Sequence, residues 1–294
     1  METSGLLPAA PTVSVIVVAA DSGEGLRECV RRVLACRVPL ELVLIDNASA
    51  DGVPQAIARA HEREPRLRVL FNHANLGFGP AVNRAAREAG GDFLLVLNPD
   101  CLLEQAALER LLEVMAREPR AGLVGAVMCD GQGRPDPASL RRDPLLARAL
   151  ATLRGRGDGG VNVEGELPRA VVEAEAVSGA LMLLPRRLFE QLGGFDEGYF
   201  LHCEDLDLCR RVRDAGRRVL LAGDVRVPHG KGGSSRHRPV FVSWHKHRGM
   251  WRWFRKFDPA ARKPHVAAPV WLGIWAHFLV QVPGQLWRLK ARSE

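Results

Sequence analysis

The chain has 294 residues, 47% of them hydrophobic and 26% charged, the balance of an ordinary folded protein. That excludes a disordered chain, a collagen and a disulfide-stapled miniprotein, and leaves room for one large α/β domain or two small ones. The net charge is +7, so an anionic partner is expected.

The first 128 residues alternate between two patterns. Val13–Ala19 (VSVIVVA) is a continuous, mostly β-branched run, as expected of a strand buried on both faces. Glu24–Cys36 reads as a helix with Leu26, Val30, Val33 and Leu34 on one side. Glu41–Asp46 is a second strand, residues 54–64 a helix, and 67–71 a third strand. Phe78–Ala89 is helical, Asp92–Leu97 a fourth strand, Glu104–Arg117 a helix and Leu123–Met128 a fifth strand. This β-α-β-α order predicts a mostly parallel sheet with helices on both faces.

Residues 130–170 break the pattern with Gly131, Gly133, Pro135, Pro137, Pro144, Gly155, Gly157, Gly159 and Gly160. A long, partly mobile excursion with a short helix near 144–153 is expected there. Beyond it, Val177–Leu184 reads as a strand, Arg186–Gln191 as a short helix and Glu204–Asp214 as a longer one. Arg217–Leu221 and Val225–Val227 read as two short strands, and residues 240–257 and 266–290 as helices. The six Cys, at 29, 36, 101, 129, 203 and 209, form no Cys-x-x-Cys pair, so buried free thiols in a reducing compartment are expected. The first 12 residues carry no basic region and no long apolar run, so no secretory signal is expected.

A parallel sheet binds ligands at the carboxyl ends of its strands. The first strand leads into Gly23-Glu24-Gly25-Leu26-Arg27-Glu28, which lacks the third glycine of a dinucleotide site. No P-loop sequence is present. Acids mark the strand ends instead: Asp46 in Asp46-Asn47-Ala48-Ser49, and Asp100 in Leu97-Asn98-Pro99-Asp100. Acids there bind base and ribose donors, or hold a cation that binds pyrophosphate; each segment also fits a plain capped turn. Further on, Glu204, Asp205 and Asp207 open a helix. The helix dipole alone favours acids there, but adjacent Glu204 and Asp205 point in different directions, so one can serve as a general base.

The ordered set Val13–Val18, Asp46-Asn47-Ala48-Ser49, Asn75-Leu76-Gly77-Phe78-Gly79, Leu97-Asn98-Pro99-Asp100, Ser178-Gly179-Ala180, Gly194-Phe195-Asp196 and Glu204-Asp205-Leu206-Asp207 resembles the family 2 glycosyltransferases of the GT-A fold, and most closely their rhamnosyltransferase-like branch. It runs in order from about residue 12 to about 235. The resemblance implies an inverting transferase that uses a nucleotide-diphosphate sugar and a divalent cation, Mg²⁺ or Mn²⁺. By motif, Asp46 is expected to contact the nucleotide base, and Asn75, Gly77, Phe78, Asn98 and Gly179 to line the nucleotide and donor sugar. Asp100 matches the last acid of the D-x-D metal element, whose first acid is here Asn98. His229 resembles a histidine that completes the metal site, with a plain loop histidine as its alternative. Asp205 matches the catalytic base, with Glu204 beside it, and Gly230–Ser235 resembles a loop that closes on the pyrophosphate.

Residues 244–263 carry seven Lys or Arg interleaved with Trp244, Trp251, Trp253, Phe254 and Phe257. They fit either a nucleic-acid patch or a membrane surface. Residues 266–287 contain no Asp, Glu, Lys or Arg, which favours the anionic membrane and no nucleic acid. The stretch Val270–Val282 is bounded by Pro269 and Pro283 and is shorter than the ~20 residues a span needs. Gly273, His277 and Gln281 form a less apolar stripe, so an in-plane or re-entrant amphipathic element is expected, with a packing or homodimer helix as the alternative and a full span disfavoured. With the resemblance, the parts are read as a nucleotide-sugar-binding half (1–128), a flexible excursion (129–172), an acceptor-binding and catalytic half (173–238) and a membrane-associating tail (239–294). The expected activity is sugar transfer, rhamnose from dTDP-rhamnose, to a lipid-linked glycan on the inner face of the cell membrane. The alternatives are another hexose from a UDP- or GDP-sugar, or a catalytically inactive membrane scaffold.

Overall fold

The computed structural model describes residues 12–153, 161, 163, 165–230 and 238–293. Four β/α units and a fifth strand come first: β1 (Val13–Ala19), α1 (Gly25–Ala35), β2 (Leu40–Asp46), α2 (Val53–Ala60), β3 (Leu67–Phe71), α3 (Phe78–Arg87), β4 (Phe93–Leu97), α4 (Gln105–Arg117) and β5 (Ala121–Cys129). The two-residue period of a strand splits β1 between two cores. Val13, Val15 and Val17 pack with Leu26, Val30 and Val33 of α1 on one face. Ile16 and Val18 pack with Ala81, Val82 and Ala85 of α3 on the other. An unbroken apolar run is therefore required here, since neither face meets water.

After β5 the chain forms β6 (Leu140–Arg141), α5 (Leu146–Leu153), β7 (Val171–Ala174), β8 (Ala176–Val177), β9 (Leu181–Pro185), α6 (Arg186–Gln191), α7 (Glu204–Asp214), β10 (Arg218–Pro228), α8 (Pro239–Phe257) and α9 (Pro264–Ser293). The eight-stranded sheet has the order β3-β2-β1-β4-β9-β5-β10-β7, and β6 pairs with β8 in a separate two-stranded sheet. The pairings among β3, β2, β1 and β4 are parallel, as is β5 with β10. β9 runs antiparallel to both β4 and β5, and β7 antiparallel to β10.

Four sequence expectations change. The strand expected over Val177–Leu184 is two strands in two sheets, because Ser178–Ala180 turns out of the small sheet before β9 enters the large one. The two strands expected at 217–227 are one, β10, with a register shift between Ala222 and Arg226 against β5. The excursion at 130–170 contributes ordered pieces, β6 among them; its residues 154–160, 162 and 164 lie outside the described residues. The bounding prolines do not bound: α9 is a single 30-residue helix with Pro269 and Pro283 inside it. Each proline removes one backbone hydrogen bond, but the flanking residues keep helical geometry.

The tail divides in two. α8 is part of the core: Trp253 is fully buried among Tyr199, Leu206 and Cys209. Lys256 binds Asp196 (2.7 Å) and buried Asp207 (2.6 Å), and Arg252 binds Asp196 (2.7 Å). Lys256 thus ties α8 to α7, and both it and Arg252 tie α8 to the segment between α6 and α7. α9 packs on α8 through Trp275 and Phe278, whose ring centres lie 4.6 and 5.7 Å from that of Trp244. Of the expected polar stripe His277 reaches α8, its Nδ1 2.9 Å from His247 Nε2, while Gln281 Nε2 lies 3.0 Å from His277 Nε2 and Gly273 is exposed. Its other faces leave Trp271, Leu272, Leu279, Val280, Leu286 and Trp287 exposed. The segment Pro264–Trp287, 24 residues, is long and apolar enough to cross a membrane. At 1.5 Å per residue it measures about 36 Å, against ~30 Å of hydrocarbon. All six cysteines are buried and free, as expected.

Candidate active site

The antiparallel entry of β9 builds the site. Because Leu97 pairs with Leu181, the start of β9 lies beside the end of β4. The Asn98 N–H donates to the Ala180 carbonyl (2.8 Å), which brings Ser178–Ala180 next to Asn98-Pro99-Asp100. β10, parallel to β5, ends on the same side. There the Leu102 N–H donates to the Pro228 carbonyl (2.9 Å), and His229 bridges Cys101. A cleft of about 330 Å³ opens above these ends, lined by Asn75, Gly77, Phe78, Asn98, Asp100 and His229 of the expected residues.

Asp100, Asn98 and His229 meet at its floor. His229 Nε2 is 3.1 Å from Asp100 Oδ1 and 3.3 Å from the Asn98 side-chain nitrogen. One ring nitrogen cannot donate to a carboxylate and accept from an amide at once. A half-turn of the amide places Asn98 Oδ1 inward, and three lone-pair atoms then converge on one point. That donor set, imidazole, carboxylate and amide oxygen, suits a divalent ion such as Mn²⁺. Cys101 also comes within 4.8 Å of this group. Burial, helped by the Asp100 charge, pushes its thiol well above its usual range, and its Sγ–H faces the Ala180 carbonyl at 3.5 Å; it is a neutral thiol buried beneath the cleft floor.

The Asn75–Phe78 turn forms one wall. Gly77 has φ 91° and ψ 173°, a region only glycine adopts without strain. The Asn75 side chain accepts from the Gly77 N–H (3.0 Å), and the Gly77 carbonyl accepts from Asn47 Nδ2 (2.9 Å). The Phe78 N–H donates to the Phe200 carbonyl (2.9 Å), which ties this turn to the loop leading into α7. Asp46 sits behind that wall, 1% exposed, its oxygens accepting from the Ser49 N–H (3.0 Å) and Gln55 Nε2 (3.3 Å). Asp21 and Asn47 face the cleft where Asp46 was expected.

Glu204 and Asp205 open α7 and are 7% and 9% exposed. They point apart, as two consecutive helical residues must. Asp205 Oδ2 accepts from the Gly179 N–H (3.0 Å) and from Arg141 Nη2, and Oδ1 accepts from the Leu206 N–H (2.8 Å). Burial opposes its charge, but the Arg141 guanidinium and these hydrogen bonds prevail and hold the carboxyl below its usual range. Among the described residues Glu204 Oε2 has no partner. Burial, reinforced by the Asp205 charge, pushes its carboxyl up to about 8. Gly179 is small because Asp205 lies against it: a Cβ there would stand 3.0 Å from Asp205 Cβ. Gly179, Glu204, Asp205 and Asp46 are not on the cleft wall itself.

Sequence reasoning missed Arg141, which lies in the supposed excursion on a strand too short to show periodicity. It also missed Phe200, Leu201, Arg238, Phe241 and Val242, which line the cleft. The last three come from the start of the supposed membrane tail; Pro239 after Arg238 was a helix-start signal for it. Phe200 stacks on His245 of α8 with ring centres 4.3 Å apart, and Arg238 lies over the Phe241 ring. Of the expected closing loop Gly230–Ser235, residues 231–235 lie outside the described residues.

The model of the family described as glycosyl transferase family 2 matches residues 14–162. The chain is 32% identical over 246 residues to the N-acetylglucosaminyl-diphospho-decaprenol L-rhamnosyltransferase of Mycobacterium tuberculosis, covering 74% of this chain and 79% of that protein. It is 28% identical over 153 residues to the rhamnosyltransferase WbbL of Escherichia coli, covering 51% of this chain and 56% of that one. Among solved structures it resembles the mannosyltransferase PcManGT of Pyrobaculum calidifontis in complex with GDP-Man and Mn²⁺. There the TM-score is 0.62 and the identity 21%, over 93% of this chain and 76% of that one.

Proposed function

The chain is a family 2 glycosyltransferase of the GT-A fold, and we propose that it transfers rhamnose from a nucleotide-diphosphate donor to a lipid-linked glycan during cell-surface polysaccharide synthesis, inverting the anomeric centre. The observation that carries this reading is the convergence of Asn98, Asp100 and His229 at the foot of the cleft, with the Glu204–Asp205 pair starting the helix beside it. The sugar and the acceptor follow the names of the two relatives, both rhamnosyltransferases, one named for a decaprenyl-diphosphate acceptor.

In this reading Asn98, Asp100 and His229 would hold a divalent cation at the foot of the cleft that takes the donor's diphosphate. When bound, that cation neutralises charge on the leaving nucleoside diphosphate. Arg238, on the cleft wall, brings a second positive group to the same side. Asn75, Gly77 and Phe78 enclose the nucleotide and sugar, while Asp46 acts through the wall it supports. Asp205 is the general base. The acceptor O–H bond breaks as its proton passes to Asp205. The oxygen bonds to the anomeric carbon, and the bond from that carbon to the diphosphate oxygen breaks with its electron pair. One displacement from the face opposite the leaving group inverts the centre, and no second carboxylate is needed, unlike in a hydrolase.

The exposed apolar faces of α9 supply the membrane attachment, on the cytoplasmic face where a lipid-linked acceptor shares the surface. A second reading, a UDP- or GDP-hexose donor, is favoured by the GDP-Man complex of PcManGT. A thermal-shift panel of dTDP-, UDP- and GDP-sugars with and without Mn²⁺ separates them. A donor at 100 times its Kd stabilises the fold by about 2.7 kcal/mol. Stabilisation by dTDP-rhamnose with Mn²⁺, and not by UDP- or GDP-hexoses, is expected; the reverse pattern supports the second reading, and no response to any donor overturns both.

A further inference from the structure

The hydrogen bonds around Asp205 divide its two oxygens unequally. Each carboxylate oxygen offers two lone-pair sites. Oδ2 receives the Gly179 N–H and Arg141 Nη2, and both its sites are filled. Among the described residues Oδ1 receives only the Leu206 N–H, which leaves one site on Oδ1 open to them. The Arg141 nitrogen that binds Oδ2 also donates to the Val177 carbonyl (2.8 Å). Its backbone is held by the pairing of β6 with β8, Arg141 opposite Ala176. Arg141 is mostly buried, its side chain 16% exposed. It therefore ties three pieces to one point: the two-stranded sheet, the Ser178–Ala180 turn and the first turn of α7.

We infer that Arg141 is a positioning residue for the transfer: it holds Asp205 with Oδ2 turned into the scaffold, so that Oδ1 alone takes the acceptor proton, and it places the negative charge of the Glu204–Asp205 pair on Asp205. This rests on the reading of Asp205 as the base. Two adjacent buried carboxyls cannot both ionise cheaply, and a cation beside one of them decides which does. Arg141 touches Asp205 and, among the described residues, has no bond to Glu204, whose Oε2 lacks a partner there. Glu204 then keeps its proton at neutral pH, in accord with a carboxyl raised to about 8. The segment between β5 and β7 thereby acquires a task, since it delivers the counter-ion.

The test uses full-length Arg141→Gln, Arg141→Lys and Asp205→Asn proteins, with dTDP-rhamnose as donor and a polyprenyl-diphosphate glycan as acceptor. The readouts are the pH profile of kcat, the donor KM, and ¹³C titration of the aspartate carboxyls. Arg141→Gln should lower kcat about 10–100-fold with the donor KM nearly unchanged. Removing the cation raises the Asp205 carboxyl, so the acidic limb of kcat should move to higher pH by about 1–3 units. The Asp205 carboxyl resonance should titrate with it. Arg141→Lys keeps the charge and should keep the wild-type limb, while losing part of kcat because an ammonium cannot reproduce the guanidinium's hydrogen-bond geometry. An unmoved limb and carboxyl titration in a folded Arg141→Gln protein would overturn the inference, whatever the change in kcat. If that variant does not fold, wild-type kcat in Arg141→Lys overturns the positioning role. An inactive Asp205→Asn beside an unmoved Arg141→Gln limb sinks this inference alone; an active Asp205→Asn sinks the base reading with it.

Discussion

Gly77 joins fold and chemistry, and Gly77→Ala measures the joint. Its φ of 91° and ψ of 173° lie where a side chain costs about 1–3 kcal/mol. A Cβ there would also stand 2.5 Å from the Phe200 carbonyl oxygen and 3.0 Å from Phe200 Cα. Both are backbone atoms, so relief requires the Asn75–Phe78 turn to part from the loop before α7. That breaks the bond from the Phe78 N–H to the Phe200 carbonyl, worth about 0.5–1.5 kcal/mol. The expected loss is therefore about 2–4 kcal/mol, read by urea denaturation, with donor affinity falling alongside. Gly52→Ala is the control. Its φ is 69°, and a Cβ there meets nothing within 4 Å, so it should cost only the left-handed strain of about 1–2 kcal/mol and leave donor binding intact. If Gly77→Ala is no less stable than Gly52→Ala and binds the donor normally, the contact with Phe200 does not support the site and the argument fails.

Asp205→Asn should lower transfer about 10²–10⁴-fold while calorimetry finds nucleotide binding nearly intact; more than about half of wild-type turnover would move the base elsewhere. Asp100→Ala should weaken both Mn²⁺ and donor binding by titration calorimetry, and chelator-insensitive wild-type activity would remove the metal role. Glu204 has a folded carboxyl raised from 4.5 to about 8, so the folded state binds its proton more tightly than the unfolded one does. Its contribution is full below pH 4.5 and is lost as pH rises toward 8. Glu204→Gln should therefore flatten the decline of stability across that window in pH-dependent denaturation, and an unchanged decline would refute the assignment. Truncation before Pro264 spares α8 and its Trp253 core; it should release the protein from anionic liposomes in co-sedimentation. A full-length protein that stays in the supernatant at low salt would make α9 a packing or dimer helix.

The residues near one another in the chain announced themselves. The unbroken Val13–Ala19 run, the helical spacing of Leu26, Val30 and Val33, and the Glu204–Asp205 opening of α7 all follow from local pattern, because strand and helix periods are local properties. Asp100, in Asn98-Pro99-Asp100, was legible as a strand-end acid of the kind that holds a cation, and His229 through the family resemblance. Their meeting was not, for it depends on β9 running antiparallel between β4 and β5, and on the segment after β4 reaching the end of β10. Such pairings join residues far apart in the chain, Leu97 with Leu181 and Gly125 with Met182 among them, and no period in the sequence encodes them. Arg141 was illegible for the same reason: a two-residue strand has no alternation, and its partner Asp205 lies 64 residues away. The tail shows the opposite failure. Its basic and aromatic residues read alike as surface anchor or packing face. Only the burial of Trp253 and the pairing of Lys256 with Asp207 separate α8, a wall of the active site, from α9, whose apolar faces the fold leaves uncovered.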